Sequence, residues 1–529
     1  MRPLPSDILP GGSLPAALLF GILFLTGIAG FWLTDRLPLV DMPQHAGQIA
    51  AVRDILLGQF KWSGIVETNW FTPYLVVPLV SAVLAMALPI PVVLSLALSL
   101  AYALYVGVAL ALRRQLNANP QFDFLILIGF FGFSYQWGFF IYLVAVPFGL
   151  LFMLMALGYA RQPSRKAGLK LLCMGVFLFL LHGLVFLFAG LVGGMLLLRQ
   201  HCPRSIKEMP SRALLAWPYM VLAVLTVIYG LSLPEQPPKL MPTIWDLGIE
   251  RFVSLFYGLA QDINPEMHLR NLVVVAGWPA YVRLAAVAIL LIAVIGHIRF
   301  RKALESENGI FISVFLIVYF AYPSRFTAIS FLFERHHIYL LPFLTFLTFI
   351  PATSLQHSMQ QRGRLTAVLF LSCAAYMGAN IVSTLAFRDD DRFFSEATAP
   401  LEPGQRMMAL IFDNSSYVGG ARYVPFQYAV WYQSEKGGWV DFNFASNYQQ
   451  VVRYPFGVNP TKDFYDGWEP SYFDWKLAEG RNFRYFITRL LPEQKEADIT
   501  QLLANDECPI KLVSSAGAWR VYEQTNCLP

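Results

Sequence analysis

Apolar runs of about twenty residues, broken by short polar stretches, recur along the first 387 residues of the chain. Coiled as helices, such runs match the hydrocarbon thickness of a bilayer. They predict spans near 14–34, 90–112, 121–138, 140–160, 169–182, 183–198, 213–231, 272–297, 310–323, 338–356 and 365–387. Lysine and arginine gather at 113–114, 161–170, 199–212, 299–302 and 362–364. Short basic loops mark the cytoplasmic side. Keeping all five inside gives about eleven crossings, with the N-terminus cytoplasmic and everything after residue 387 outside. Phe71 to Leu88 is also apolar, but a crossing there would put the first four basic loops on the wrong side. The segment, with Trp70, Pro73, Tyr74 and Pro78, is therefore expected to lie in the outer interface or to enter and return. The first apolar run is too long for a cleaved signal peptide and reads as an uncleaved span.

After residue 387 the pattern changes. Strand-like runs at 407–412, 484–490 and 519–523 surround a helical run near 492–505, as in a small α/β domain. The expected fold is a polytopic α-helical membrane protein with a small C-terminal extracytoplasmic α/β domain. Its boundaries are 1–387 for the membrane domain, with an outer loop at 35–89, and 388–529 for the soluble one.

Composition agrees. Of 529 residues, 56% are hydrophobic and only 14% charged, where a soluble domain carries about a quarter. The net charge of +5 sits mostly in short inter-helix loops and gives no reason to expect nucleic acid. Five cysteines follow no metal-ligand spacing. Cys508 and Cys527 both fall in the outer tail, where an oxidising compartment would let them pair. The chain has no P-loop, no dinucleotide-binding glycine pattern and no nucleophile elbow.

Candidate chemistry gathers on the outer side. In DMPQHAGQIAAV, Asp41 can cap a helix opened by Met42 and Pro43. His45 falls one turn on, with Gln44 and Gln48 on adjoining faces. A carboxylate at a helix start facing the membrane surface suits a general base for an acceptor hydroxyl; capping alone needs no chemistry. Asp41 and His45 are also the place for a divalent metal, although two ligands are few. A second constellation is Arg325 with Glu334, Arg335, His336 and His337. The planar guanidinium suits phosphate or diphosphate, and imidazoles add donors. The plain alternative is an interfacial cluster or an Arg–Glu pair. Lesser candidates are His182, Asp246 with Glu250, His268 with Arg270, and Tyr135, Gln136 and Trp137, which suit either a sugar or an aromatic belt.

The layout resembles the GT-C glycosyltransferases, polytopic enzymes that transfer sugars outside the membrane from polyprenyl-phosphate-linked donors. The similar elements are a first span, an outer loop with an acid (Asp41), a segment at 45–70 followed by the Pro–aromatic pair Pro73-Tyr74, and a second span ending in Arg113-Arg114. The chain departs from many members in having DMPQH where they show paired acids followed by an aromatic. The resemblance implies an inverting transferase in the plasma (inner) membrane of a cell envelope, with its tail periplasmic. It implies Asp41 as catalytic base, with Asp35 next in line. Arg335, with His336, His337 and Arg325, would bind the donor phosphate. His45, Gln44, Tyr74 and His182 are the expected acceptor or substrate contacts. Partners would be a polyprenyl-phosphate sugar, a glycan, lipid or protein acceptor, and membrane lipids. The rival readings are a lipid-linked glycan transporter or flippase, a glycan polymerase or ligase, and a non-catalytic assembly subunit.

Overall fold

A computed structural model describes residues 9–203, 205–233, 243–245, 247–260, 278–326, 329–349, 359–414, 424–455 and 470–525. The chain is mostly helical and divides into two compact units. One comprises Met1–Trp32, Leu96–Glu235 and Lys239–Val382, the other Leu33–Ser95, Gln236–Pro238 and Ser383–Pro529.

Among the described residues, six helices are long and apolar enough to cross a membrane: Ile90–Gln115, Phe140–Arg161, Gly183–His201, Met209–Ser232, Trp278–Ile295 and Gln360–Thr398. Leu14–Gly30 and Asn308–Ala321 are shorter apolar helices. Local chemistry sets several starts. Ser13 accepts from the Ala16 amide and Ser164 from the Ala167 amide, each satisfying an orphan donor of a first turn. Val76–Leu84 is a nine-residue helix. At 1.5 Å per residue it reaches roughly 14 Å, under half of a ~30 Å hydrocarbon core.

The predicted span 121–138 is not one helix. It divides into Pro120–Phe122, Phe124–Gly129 and Phe133–Trp137. At the break, a Cβ on Gly132 would stand 2.8 Å from the Gly258 carbonyl oxygen, so only glycine permits this approach. Broken backbone is tolerated at membrane depth where protein surrounds it, and every residue of Phe124–Gly129 is buried. The described part of the predicted span 338–356 is also short, a helix at His337–Phe346.

Arg113, read from the sequence as a topology charge, is buried and paired. Its Nε and a terminal nitrogen meet the two oxygens of Asp123 at 3.0 and 3.1 Å. The two side chains are 2% and 0% exposed, so this arginine answers a buried carboxylate rather than the solvent. Arg161 bonds Glu307 and, at 3.1 Å, the Gln115 carbonyl, while Gln200 reaches Glu307 at 2.6 Å. These contacts bring the ends of Ile90–Gln115, Phe140–Arg161 and Gly183–His201 to one end of this unit, with the start of Asn308–Ala321.

In the second unit a five-stranded sheet runs in the order Trp439–Val440, Arg406–Ile411, Tyr485–Arg489, Trp519–Gln524, Ile510–Ala516. The first three strands are parallel and the last two join antiparallel. Met408, Leu410, Phe483, Phe486, Ile499 and Tyr522 lie in the core on one side. Cys508 is disulfide-bonded, whereas Cys173, Cys202 and Cys373 are free thiols; Cys527 lies outside the described residues.

This unit also takes in Leu33–Ser95, which the sequence groups with the membrane spans. Glu67–Thr68 pairs antiparallel with Val452–Arg453, and the Asn69 amide donates to the Val451 carbonyl at 2.7 Å. Trp62 donates to the Gly437 carbonyl at 3.1 Å. The segment after the first apolar helix is thus built into the tail's fold by backbone pairing.

Candidate functional site

Helix Met42–Leu56 carries the first candidate group. Asp41 holds the position before it, but its backbone is already helical (φ −88°, ψ −1°) and its side chain makes no cap hydrogen bond. That corrects the capping expectation: from helical backbone, the carboxylate does not curl back over its own first turn. Gln427 Nε2 donates to Asp41 Oδ1 at 3.0 Å instead, and both side chains are buried. Sequence reasoning misses Gln427, which lies 386 positions away with no motif around it.

The neighbouring polar residues tie this helix to the tail. Gln44 donates to the Phe442 carbonyl at 3.1 Å and accepts from the Phe444 amide at 2.8 Å. Gln48, one turn on, donates to the Val452 carbonyl at 2.9 Å and accepts from the Val452 amide at 3.3 Å. Each glutamine copies the reciprocal bonding of a backbone amide, so Gln44 is engaged by backbone on both prongs. Between them, a Cβ on Gly47 would meet Val430 Cγ1 at 2.8 Å; its absence lets helix Val430–Lys436 close in. Gln433 then reaches the Gly47 carbonyl at 3.4 Å. His45 is buried with its ring edge-on to Phe444, centroids 5.3 Å apart. Tyr74 is half-buried, its amide donating to Thr72 Oγ1 at 3.3 Å. Asp35 is exposed.

Arg36, which sequence reasoning also passes over, is a hub. It meets Glu435 with two nitrogens at 2.7 and 2.8 Å, Asp391 at 2.5 Å and Ser395 at 2.7 Å. Burial works against its charge, but the Glu435 hydrogen bond and the surrounding acids outweigh it and hold the guanidinium above its ordinary value. Lys436 closes the carboxyl end of helix Arg388–Thr398, donating to the carbonyls of Thr398, Ala399 and Leu401 at 2.8–2.9 Å.

The other unit holds the basic cluster. Arg325 Nε donates to Ser330 Oγ at 3.3 Å, and an Arg335 terminal nitrogen donates to the Ser330 carbonyl at 3.2 Å. Two guanidinium groups thus converge on one serine. Among the described residues neither is paired with a carboxylate. Arg335 also lies over the Phe139 ring, 3.9 Å from its centroid, a contact that favours a cation. Phe331, next to Ser330, has φ +61°, which a bulky residue rarely adopts; its ring packs 4.4 Å from Trp137.

The remaining members behave differently. Glu334 is buried and does not bond Arg335, so it does not orient that guanidinium. His337 is clamped between the Glu334 and Ser254 carbonyls, the latter at 2.8 Å, and packs on Gly258. His336 is fully buried against Phe188 and Tyr322. His182 caps helix Gly183–His201 through Nδ1, 3.2 Å from the Leu184 amide, and its ring meets Tyr142 edge-on. Tyr142 and Ser134 both donate to the Arg335 carbonyl at 2.9 Å. Tyr135 is buried among phenylalanines. Asp246, His268 and Arg270 lie outside the described residues, as does the Glu250 side chain. Among the described residues, no three His, Cys, Asp or Glu side chains gather as metal ligands would.

No family model matches the chain and no curated protein matches it. Among solved structures it is similar to the arabinofuranosyltransferase AftD from mycobacteria, at 11% identity and a TM-score of 0.45. The similarity covers 97% of this chain and 40% of that one, and a likeness so distant carries no argument for fold or activity.

Proposed function

We propose that this protein is a membrane glycosyltransferase of the GT-C type, moving a sugar from a polyprenyl-phosphate-linked donor to an acceptor hydroxyl on the outer face. The observation that carries this reading is the pair of arginines on Ser330, neither answered by a carboxylate among the described residues. Half-buried cations left in that condition suit an anion, and the planar fork suits a phosphate. In the proposed step the acceptor oxygen attacks the anomeric carbon while Asp41 takes the hydroxyl proton. The bond from the anomeric carbon to the phosphate oxygen breaks, and its electron pair leaves with polyprenyl phosphate. Arg335 and Arg325 stabilise the charge that develops there. One direct displacement inverts the anomeric configuration. A flippase would want polar groups and broken helices around a mid-membrane path. The broken segment is buried and apolar from Phe124 to Phe133 instead, which favours the transferase.

The test is release of polyprenyl phosphate by full-length protein in nanodiscs, with undecaprenyl-phosphate glucose and mannose as donors and hexyl glycosides as acceptors. Wild-type protein should release it, and Asp41→Asn should fold and insert but lose at least about a hundredfold in rate, as loss of a general base does. Absence of release by the wild type would overturn the transferase reading. Full activity in Asp41→Asn would remove Asp41 as base and turn attention to Asp35.

A further inference from the structure

We infer that Gln427, supplied by the tail, is a positioning residue that aims the Asp41 carboxylate and presents its own carbonyl oxygen to a hydroxyl of the incoming sugar acceptor. The inference rests on the reading of Asp41 as base. Its first support is the 3.0 Å contact from Gln427 Nε2 to Asp41 Oδ1. A carboxylate oxygen accepts only, so the amide nitrogen must face it, and this fixes which prong is Oε1.

The second support is the other end of that amide. Gln427 is 5% exposed, and its Oε1 is a buried acceptor with no hydrogen-bond partner among the described residues. A buried unmatched acceptor is unfavourable by roughly 1–3 kcal/mol and calls for a donor. Next to a carboxylate, a donor that is neutral and hydroxylic fits; a polyol such as a sugar brings several such groups at adjacent carbons. One hydroxyl would donate to Asp41 and lose its proton there, and its neighbour would donate to Gln427 Oε1.

The third support is how firmly Gln427 is set. It lies in the short turn Val424–Gln427, just ahead of helix Val430–Lys436. That helix closes on Gly47, and Gln44 and Gln48 fix the register of residues 442–452 on the same helix that Asp41 begins. An amide held on both sides by packing loses little freedom when it orients a charge, which is what positioning requires.

The experiment uses full-length protein in nanodiscs and the same donor and acceptor glycosides. Gln427→Leu removes both prongs; its rate should fall about tenfold to a hundredfold, the span for a hydrogen bond to a charged group. The acceptor KM should rise while the donor KM stays within about twofold, a split that general loosening of the fold would not produce. Gln427→Asn draws the amide back by one methylene and should behave similarly. Asp41→Glu combined with Gln427→Asn restores the summed length, so the pair should recover activity above either single variant. Gln427→Leu with wild-type kinetics, equal loss in both KM values, or a double variant no better than its parents would overturn the inference. Should Gln427→Leu fail to fold, the length-swapped pair still decides. Asp41→Asn, run alongside, separates the two claims. If it is active the base assignment falls and takes this inference with it. If it is inactive while Gln427→Leu is normal, only this inference falls.

Discussion

Replacing Arg36 with alanine strands two carboxylates, and they do not suffer equally. Asp391 has a side chain 13% exposed, whereas that of Glu435 is 33% exposed. Glu435 can rehydrate, and its share is that of a surface pair, at most about 0.5–1 kcal/mol. Asp391 is left in a poorly solvated place, where losing one partner of a buried pair costs about 3–5 kcal/mol. The Tyr428 hydroxyl, 2.6 Å from Asp391 Oδ1, remains and holds the figure at the low end. The total is therefore about 3–4 kcal/mol. For a unit of roughly two hundred residues each kcal/mol moves the midpoint by about 2–4 °C, so the second unit should melt roughly 6–16 °C lower. Tryptophan fluorescence follows it in detergent-solubilised full-length protein, since the Trp431 ring lies 5.7 Å from the Arg36 guanidinium. Arg36→Met with Asp391→Asn and Glu435→Gln should recover most of the loss, because the damage comes from unpaired charge rather than missing contact. A shift of less than about 2 °C in Arg36→Ala would refute the argument.

Two further outcomes are expected. Binding of undecaprenyl phosphate should weaken in Arg335→Lys, which keeps the charge but loses the fork, and weaken more in Arg335→Ala, by on the order of 2–5 kcal/mol; isothermal titration giving wild-type affinity for both would make the cluster a membrane anchor. Asp441 is buried, and burial pushes its carboxyl up to about 7 from an ordinary 3.8. A raised acid binds more protons folded than unfolded between those values, so its contribution to stability declines as pH rises from about 4 to 7 and is level above. Asp441→Asn keeps an acceptor for the Ala409 amide, which donates to Oδ1 at 3.0 Å, and should flatten that slope. Thermal scans at pH 5 and pH 8 should show the variant gaining at pH 8 by on the order of 1–4 kcal/mol; identical slopes would exclude it.

Hydropathy alone located most of the long apolar helices, because a bilayer-length run of apolar side chains satisfies its backbone within one helix and needs no partner to be read. The strand-like runs MMALIF and RYFITRL likewise marked strands that lie side by side as Arg406–Ile411 and Tyr485–Arg489. The candidate residues Asp41 and Arg335 were legible as charges out of keeping with their surroundings. What they do was not. Asp41 has the sequence of a helix cap, and only the approach of Gln427 shows where its carboxylate goes. Gln44 and Gln48 read as polar residues near a site, yet they are spent on backbone about 400 positions away. His336 and His337 stand beside Arg335 in the chain, yet both are buried and His337 is held by the Ser254 carbonyl, which the sequence does not show. The break in 121–138 escapes the sequence for the same reason. The residues around the break, Phe124 to Phe133, are apolar, and the contact that needs Gly132 is a backbone carbonyl from Gly258. Apolar runs and alternation are local properties and can be read locally. Register, burial and the partner of each buried polar atom are set by distant segments, and for this protein the tertiary structure alone decided them.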